Sequence, residues 1–213
     1  MSKEADAIRL QAICSLTVND NREPIYVLLH GGGDSVDEMT RFIEQLQPQC
    51  EYVAFQAPHG RTFIPGYLWW STDSDFDTRR QECHDAGKYI TDWLCSTGLN
   101  SRDLVVVGFS QGAYLAFRMV ADFPELYRQA ILLNPPFPDT VSDNALPDPD
   151  RHARILLVYG EHDQVIPEDE QANASEVLGR TTNLTEVVVP GIGHDLEPME
   201  FKAIRSFIEG RDL

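Results

Sequence analysis

Five nearly unbroken apolar runs limit what this chain can fold into: Tyr26–Leu29, Leu104–Val107, Ala130–Leu133, Ile155–Val158 and Val187–Val189. Strands covered by helices on both faces read this way, because neither side of the sheet is open to water. A further stretch, Ile8 to Thr17, alternates instead, with Ile8, Leu10, Ala12, Cys14 and Leu16 on one side. Strict alternation suits a half-exposed outer strand.

Helical spacing fills the gaps between the runs. Val36, Met39, Phe42, Ile43 and Leu46 share a face; Ser35-x-x-Glu38 offers a capping box, and Pro48 stops the pattern. Ala86, Ile90, Trp93 and Leu94 form a second stripe before Gly98. A third follows Gln111 and ends before Pro124, and a fourth runs from Ala172 to Leu178 with Gly179 past its end. Phe201, Ile204, Phe207 and Ile208 make the last, between Pro198 and Gly210. Alternating strands and helices predict a mostly parallel sheet with helices on both faces and right-handed crossovers. Functional groups in such sheets gather in the loops after the carboxyl ends of the strands.

The 213 residues show no interior linker, so one domain over 1–213 is expected. The amino terminus does not read as a signal peptide, and no apolar run approaches the roughly 20 residues that span a bilayer. A soluble, cytoplasmic protein is the simplest expectation. A net charge of −17 would repel nucleic acid and anionic membrane alike. Three lysines stand against fourteen arginines, a balance that fits either adaptation to high salt or plain acidity. Cys14, Cys50, Cys83 and Cys95 are scattered and read as free thiols. Cys83-His84 is the one place where a metal is arguable, and no metal or other cofactor is expected. Asp139, Asp143, Asp148 and Asp150 read as a solvated acidic loop.

Chemistry concentrates at Gly108-Phe109-Ser110-Gln111-Gly112, where a strand meets a helix. Two glycines remove the Cβ atoms that would clash in so sharp a turn, and Ser110 is lifted above the sheet edge. The Gln111 amide then lies where an oxyanion would form, at the positive end of a helix. A chance G-x-S-x-G in a loop is the plain alternative; a strong strand before it and a good helix after it favour a nucleophile. A serine hydroxyl needs a base and a group that orients the base. The order Ser, acid, His places Asp163 in "GEHDQVIP" after one strand and His194 in "PGIGHDLEP" after the next. Glu161 and Asp169 are nearby alternatives for the acid; Asp195 adjoins His194 too closely to buttress it. Among the other histidines, His30 reads as structural, His59 as a loop residue, His84 as helical and His152 as preceding a strand. His162 adjoins Asp163, which makes it a poor relay. The turn His30-Gly31-Gly32-Gly33-Asp34 follows a central strand, and the Gly32 amide is the expected second oxyanion donor.

Taken in order, "LLHGGGD", "GFSQGA", "DQVIP" and "GHDLEP" resemble the acyl-protein thioesterase, phospholipase and carboxylesterase family of small α/β-hydrolases, over about Pro24 to Glu209. The resemblance implies an α/β-hydrolase fold with little or no cap domain, and a serine esterase or thioesterase without cofactor. It also implies a Ser110, Asp163, His194 triad with Gly32 and Gln111 as oxyanion donors. Members often carry a bulkier residue where Gly32 sits, so a wider pocket floor is expected. Phe63, Ile64, Tyr67, Leu68, Trp69, Trp70 and Phe137 are the candidate substrate-binding residues, although Trp69 and Trp70 read equally well as core. Overall acidity disfavours anionic substrates at long range, so a neutral small-molecule ester of short to medium chain is expected, handled by a monomer or homodimer. A lysophospholipase, or a silent hydrolase-fold protein that binds a small ligand, is the alternative. Aspartate-nucleophile and cysteine-nucleophile relatives are disfavoured by Ser110.

Overall fold

The computed structural model describes residues 10–16, 23–140 and 153–211. Its core is a seven-stranded sheet, with β1 (Ala12–Ser15), β2 (Ile25–Leu29), β3 (Glu51–Phe55), β6 (Leu104–Phe109), β7 (Gln129–Leu133), β8 (Arg154–Gly160) and β9 (Asn183–Val189). The strand order is β1-β3-β2-β6-β7-β8-β9. All pairs are parallel except β1 with β3. A two-stranded hairpin, β4 (His59–Gly60) and β5 (Tyr67–Leu68), stands apart from it.

The unbroken apolar runs divide by alternation between two helical layers. Tyr26, Leu28, Val105, Val107, Leu156 and Val158 pack with Met39, Phe42 and Ile43 of α1 (Val36–Leu46) and with Ile204 and Phe207 of α5 (Phe201–Ile208). Ile25, Val27, Leu29, Val106, Ile155 and Leu157 face the other way. They meet α2 (Phe76–Ser96), α3 (Gln111–Asp122) and α4 (Glu168–Thr181) through Ile90, Leu115, Met119 and Val177. Burying one such aliphatic side chain stabilises the fold by about 1.5–3 kcal/mol.

Several expectations differ from the structure. β3 is absent from the strands expected above, although Tyr52–Phe55 is itself an unbroken apolar run; Glu51 opens it. The carboxylate is buried, with the Arg102 guanidinium 2.5 Å away. β1 is exposed on both faces rather than half-exposed. Ile8 and Thr17 lie outside the described residues. β9 is an edge strand, not a buried one, and Val188 is 58% exposed. Ser35 caps α1 with extended backbone but no side-chain bond, so the capping box does not form. Glu38 turns to Asp34 instead, and burial raises its carboxyl well above the usual range. α4 continues through Gly179 to Thr181. Among the described residues, no helix is long and apolar enough to cross a membrane.

The sheet order reverses beside β2. The chain moves outward from β2 to β3, then crosses back to β6 on the other side of β2. Loops leaving β2 and β6 therefore open a crevice at their carboxyl ends, the place where α/β sheets bind ligands.

Candidate active site

Ser110 leaves β6 with φ 50 and ψ −118, a strained conformation for a residue with a Cβ. Such strain costs on the order of 1–3 kcal/mol and persists only where the surroundings over-determine it. Here the Ser110 N–H donates to Leu133 O at 2.9 Å and its carbonyl accepts from Ala113 N–H at 2.9 Å. A Cβ on Gly108 would overlap the Gly112 carbonyl, and one on Gly112 would overlap the carbonyl of Leu29. The two glycines thus let helix α3 press onto both β6 and the neighbouring β2.

Three side chains converge at this turn. His194 Nε2 lies 2.9 Å from Ser110 Oγ, and His194 Nδ1 lies 2.8 Å from Asp163 Oδ2. The Asp163 side chain is fully buried, whereas that of His194 is 14% exposed. Its other oxygen, Oδ1, accepts the N–H groups of Val165 and Ile166 at 2.9 and 3.0 Å. A carboxylate can only accept, so Nδ1 carries the proton and Nε2 is left to accept from the serine hydroxyl. The Phe109 ring packs 5.1 Å from the imidazole and limits its rotation.

The loops bearing the acid and the imidazole fit against each other. A Cβ on Gly160 would overlap the Gly193 carbonyl, and His162 N–H donates to Ile192 O at 2.9 Å. The alternative residues are spent elsewhere. Glu161 accepts from Gly191 N–H at 2.9 Å. Asp169 lies in the first turn of α4. His162 is exposed beside Glu161. His59 pairs with Glu82, and His84 pairs with Asp122 while stacking on Phe123. His152 lies outside the described residues.

Beneath the glycine turn, His30 is fully buried. Its Nδ1 donates to Gly31 O at 2.7 Å, and its Nε2 accepts from Ala57 N–H at 3.0 Å and faces Gln56 Nε2 at 2.7 Å. Burial holds its pKa below the ordinary histidine value. The unfolded chain therefore takes up a proton that the folded chain refuses, and stability falls as pH drops below about 6.5. His30→Asn is expected to flatten this decline by up to about 1.4 kcal/mol per pH unit. Denaturation midpoints at pH 8 and pH 5 measure it; an unchanged slope would show that His30 titrates alike in both states.

Gly33 N–H donates to Tyr67 O at 2.8 Å and Asp34 N–H to Gly31 O at 3.2 Å, so neither amide is available to a ligand. Gly32 is exposed. A Cβ there would come within 2.7 Å of Gln111 Cδ, so the Gln111 side chain fills the space where a wider pocket floor was expected. Gln111 Oε1 accepts from Trp69 N–H at 2.9 Å. Its own amide opens α3, where backbone N–H groups have no acceptor within the helix.

Comparison with known proteins adds a second line of observation. Residues 16–211 match the phospholipase/carboxylesterase family. The chain belongs to that family. Esterase YpfH of Escherichia coli is 24% identical over 187 residues, covering 82% of this chain and 77% of the relative. The structure of esterase PE8 superposes with a TM-score of 0.78 at 22% identity, over 95% of this chain and 99% of that one. A carboxylesterase from Mesorhizobium loti gives 0.72 at 19% identity, over 90% of each chain. These likenesses establish the α/β-hydrolase fold.

For this member of the phospholipase/carboxylesterase family, the candidate pocket residues separate into two groups. Phe63 is 96% and Ile64 57% exposed at the tip of the β4–β5 hairpin, with Tyr67 exposed and Leu68 half-buried behind them. Trp69, Trp70 and Phe137 are core instead. Trp69 Nε1 donates to His30 O at 2.8 Å, and Trp70 and Phe137 both pack edge-on against Tyr114. Asp139 is not solvated; it is buried against the Tyr114 hydroxyl, with Arg80 and Arg118 each at 3.6 Å. Asp143, Asp148 and Asp150 lie outside the described residues. Cys83 is buried, and among the described residues no group of three or more metal-ligating side chains gathers. Asn134 goes unnoticed in the sequence. It sits at φ 48 at the end of β7, and its Oδ1 accepts from Gly160 N–H at 2.9 Å, bracing the end of the strand that leads into the Asp163 loop. The signal was the "NPP" turn, since asparagine tolerates left-handed backbone.

Proposed function

We propose that this chain is a cytoplasmic serine carboxylesterase that hydrolyses esters or thioesters of short to medium acyl chain. The observation that carries the reading is the hydrogen-bonded series Asp163–His194–Ser110, with separations of 2.8 and 2.9 Å. These lie in the range a nucleophile and its base need. Membership of an esterase family and the exposed apolar hairpin tip support an acyl substrate, and four free cysteines agree with a reducing compartment.

His194 Nε2 takes the Ser110 proton as Oγ attacks the carbonyl carbon. The electron pair of the C=O bond moves to oxygen, and the oxyanion accepts from the Gly32 and Gln111 amides. The tetrahedral species then collapses, the carbon–oxygen or carbon–sulfur bond breaks, and the imidazolium gives its proton to the departing alcohol or thiol. Water, deprotonated by the same imidazole, repeats the sequence on the acyl-enzyme and releases the acid. Asp163 keeps the imidazole in the useful tautomer and stabilises its charged form.

A fluorophosphonate probe is expected to label the wild-type protein at Ser110, with a mass increase on that residue alone. p-Nitrophenyl esters from acetate to decanoate then define chain length. A folded protein that stays unlabelled would be a ligand-binding member of the fold rather than an enzyme.

A further inference from the structure

The β4–β5 hairpin delivers a cation to the glycine turn. A Cβ on Gly33 would lie 3.0 Å from an Arg61 guanidinium nitrogen and 3.9 Å from its Cζ. Gly33 is one peptide unit, about 3.8 Å between Cα atoms, from Gly32. The placement is held by backbone rather than by the side chain alone. Arg61 N–H donates to Gly66 O at 3.0 Å, Gly33 N–H to Tyr67 O at 2.8 Å, and Tyr67 N–H to Asp34 O at 2.9 Å. Gly66 has φ 116, and a Cβ there would overlap the Gly33 carbonyl, so hairpin and turn touch directly.

The chain carries 34 acidic residues against 17 lysines and arginines. Arg80, Arg102, Arg118, Arg180 and Arg211 each pair with a carboxylate. Arg61 forms no ion pair among the described residues. Asp34, in the same turn, faces the other way: its Oδ2 lies beside the Cβ position of Gly31, and its carboxyl bonds to Glu38. A guanidinium presents a planar fork of donors that matches carboxylate and phosphate oxygens two at a time. The acidic surface repels anions only over distances that salt screens, about 8 Å at physiological ionic strength. Direct contact with Arg61 acts inside that distance.

Building on the serine-esterase reading above, we propose that Arg61 selects esters carrying a second, anionic oxygen group, a carboxylate or a phosphate, a few bonds from the scissile carbonyl. The site would then take half-esters of dicarboxylic acids or acylated phospho-alcohols in preference to the neutral esters that overall charge suggests.

The test compares kcat/KM within matched pairs. One pair is the p-nitrophenyl half-ester of glutarate and its methyl ester; the other is 1-butyryl-glycerol 3-phosphate and 1-butyrylglycerol. Wild type is expected to favour the charged member of at least one pair by tenfold or more, and less so in 1 M salt. The pair with the larger preference identifies carboxylate or phosphate. Arg61→Gln is expected to bring that ratio close to one, Arg61→Lys to keep part of it, and Arg61→Glu to invert it. Ratios equal in wild type and Arg61→Gln for both pairs overturn the assignment, and continued hydrolysis of the neutral esters then leaves the esterase reading standing. Failure of wild type to hydrolyse any ester removes that reading, and this assignment with it.

Discussion

Ser110→Ala is expected to lower kcat by about 10⁶-fold, with the protein still folded. The hydroxyl bonds to His194 at 2.9 Å. Alanine keeps the Cβ and suffers the same backbone strain at φ 50, so the elbow loses the proposed nucleophile without new steric cost. What survives is the catalysis that donors and positioning give to attack by water. Turnover of a p-nitrophenyl ester, measured beside a thermal melt, checks the result. Activity within tenfold of wild type in a correctly folded variant would remove Ser110 from the reaction.

Asp163→Asn is expected to cost on the order of 10⁴-fold in kcat while KM changes little. The substitution is nearly isosteric, and an amide oxygen can still accept the Val165 and Ile166 N–H groups that Oδ1 now accepts. The change falls on the other side. An amide NH₂ placed 2.8 Å from His194 Nδ1 donates where the carboxylate accepted. The imidazole then moves its proton to Nε2 and presents a donor to the serine hydroxyl. It can no longer take the serine proton. Because the loop remains folded, stability should fall far less than activity, and a steady-state assay paired with denaturant unfolding separates the two. Equal losses in both would recast Asp163 as a brace.

Much of this arrangement can be read from local pattern. A buried strand, a Gly-flanked serine and a helix are consecutive, and loops after later strands supply Asp163 and His194 in order. What local pattern hides are partners far along the chain. Glu51 is a charge at the mouth of a buried strand, matched by Arg102, 51 residues on. Asp139 looks like one of several solvated acids until Arg80, Tyr114 and Arg118 close around it. Trp69 and Trp70 read equally as pocket and as core until the Trp69 indole is found donating to His30 O and Trp70 packing on Tyr114. In each case the deciding contact is one that spacing along the chain cannot register.

The clasp between Tyr67 and the Gly33-Asp34 segment has a mechanical consequence. Two backbone bonds join them in both directions, so the apolar finger bearing Phe63 is tied to the glycine turn proposed to hold the reacting oxygen. A guest that leans on the fingertip is then expected to reset the spacing at the carbonyl, so an ill-fitting one would be bound yet turned over slowly.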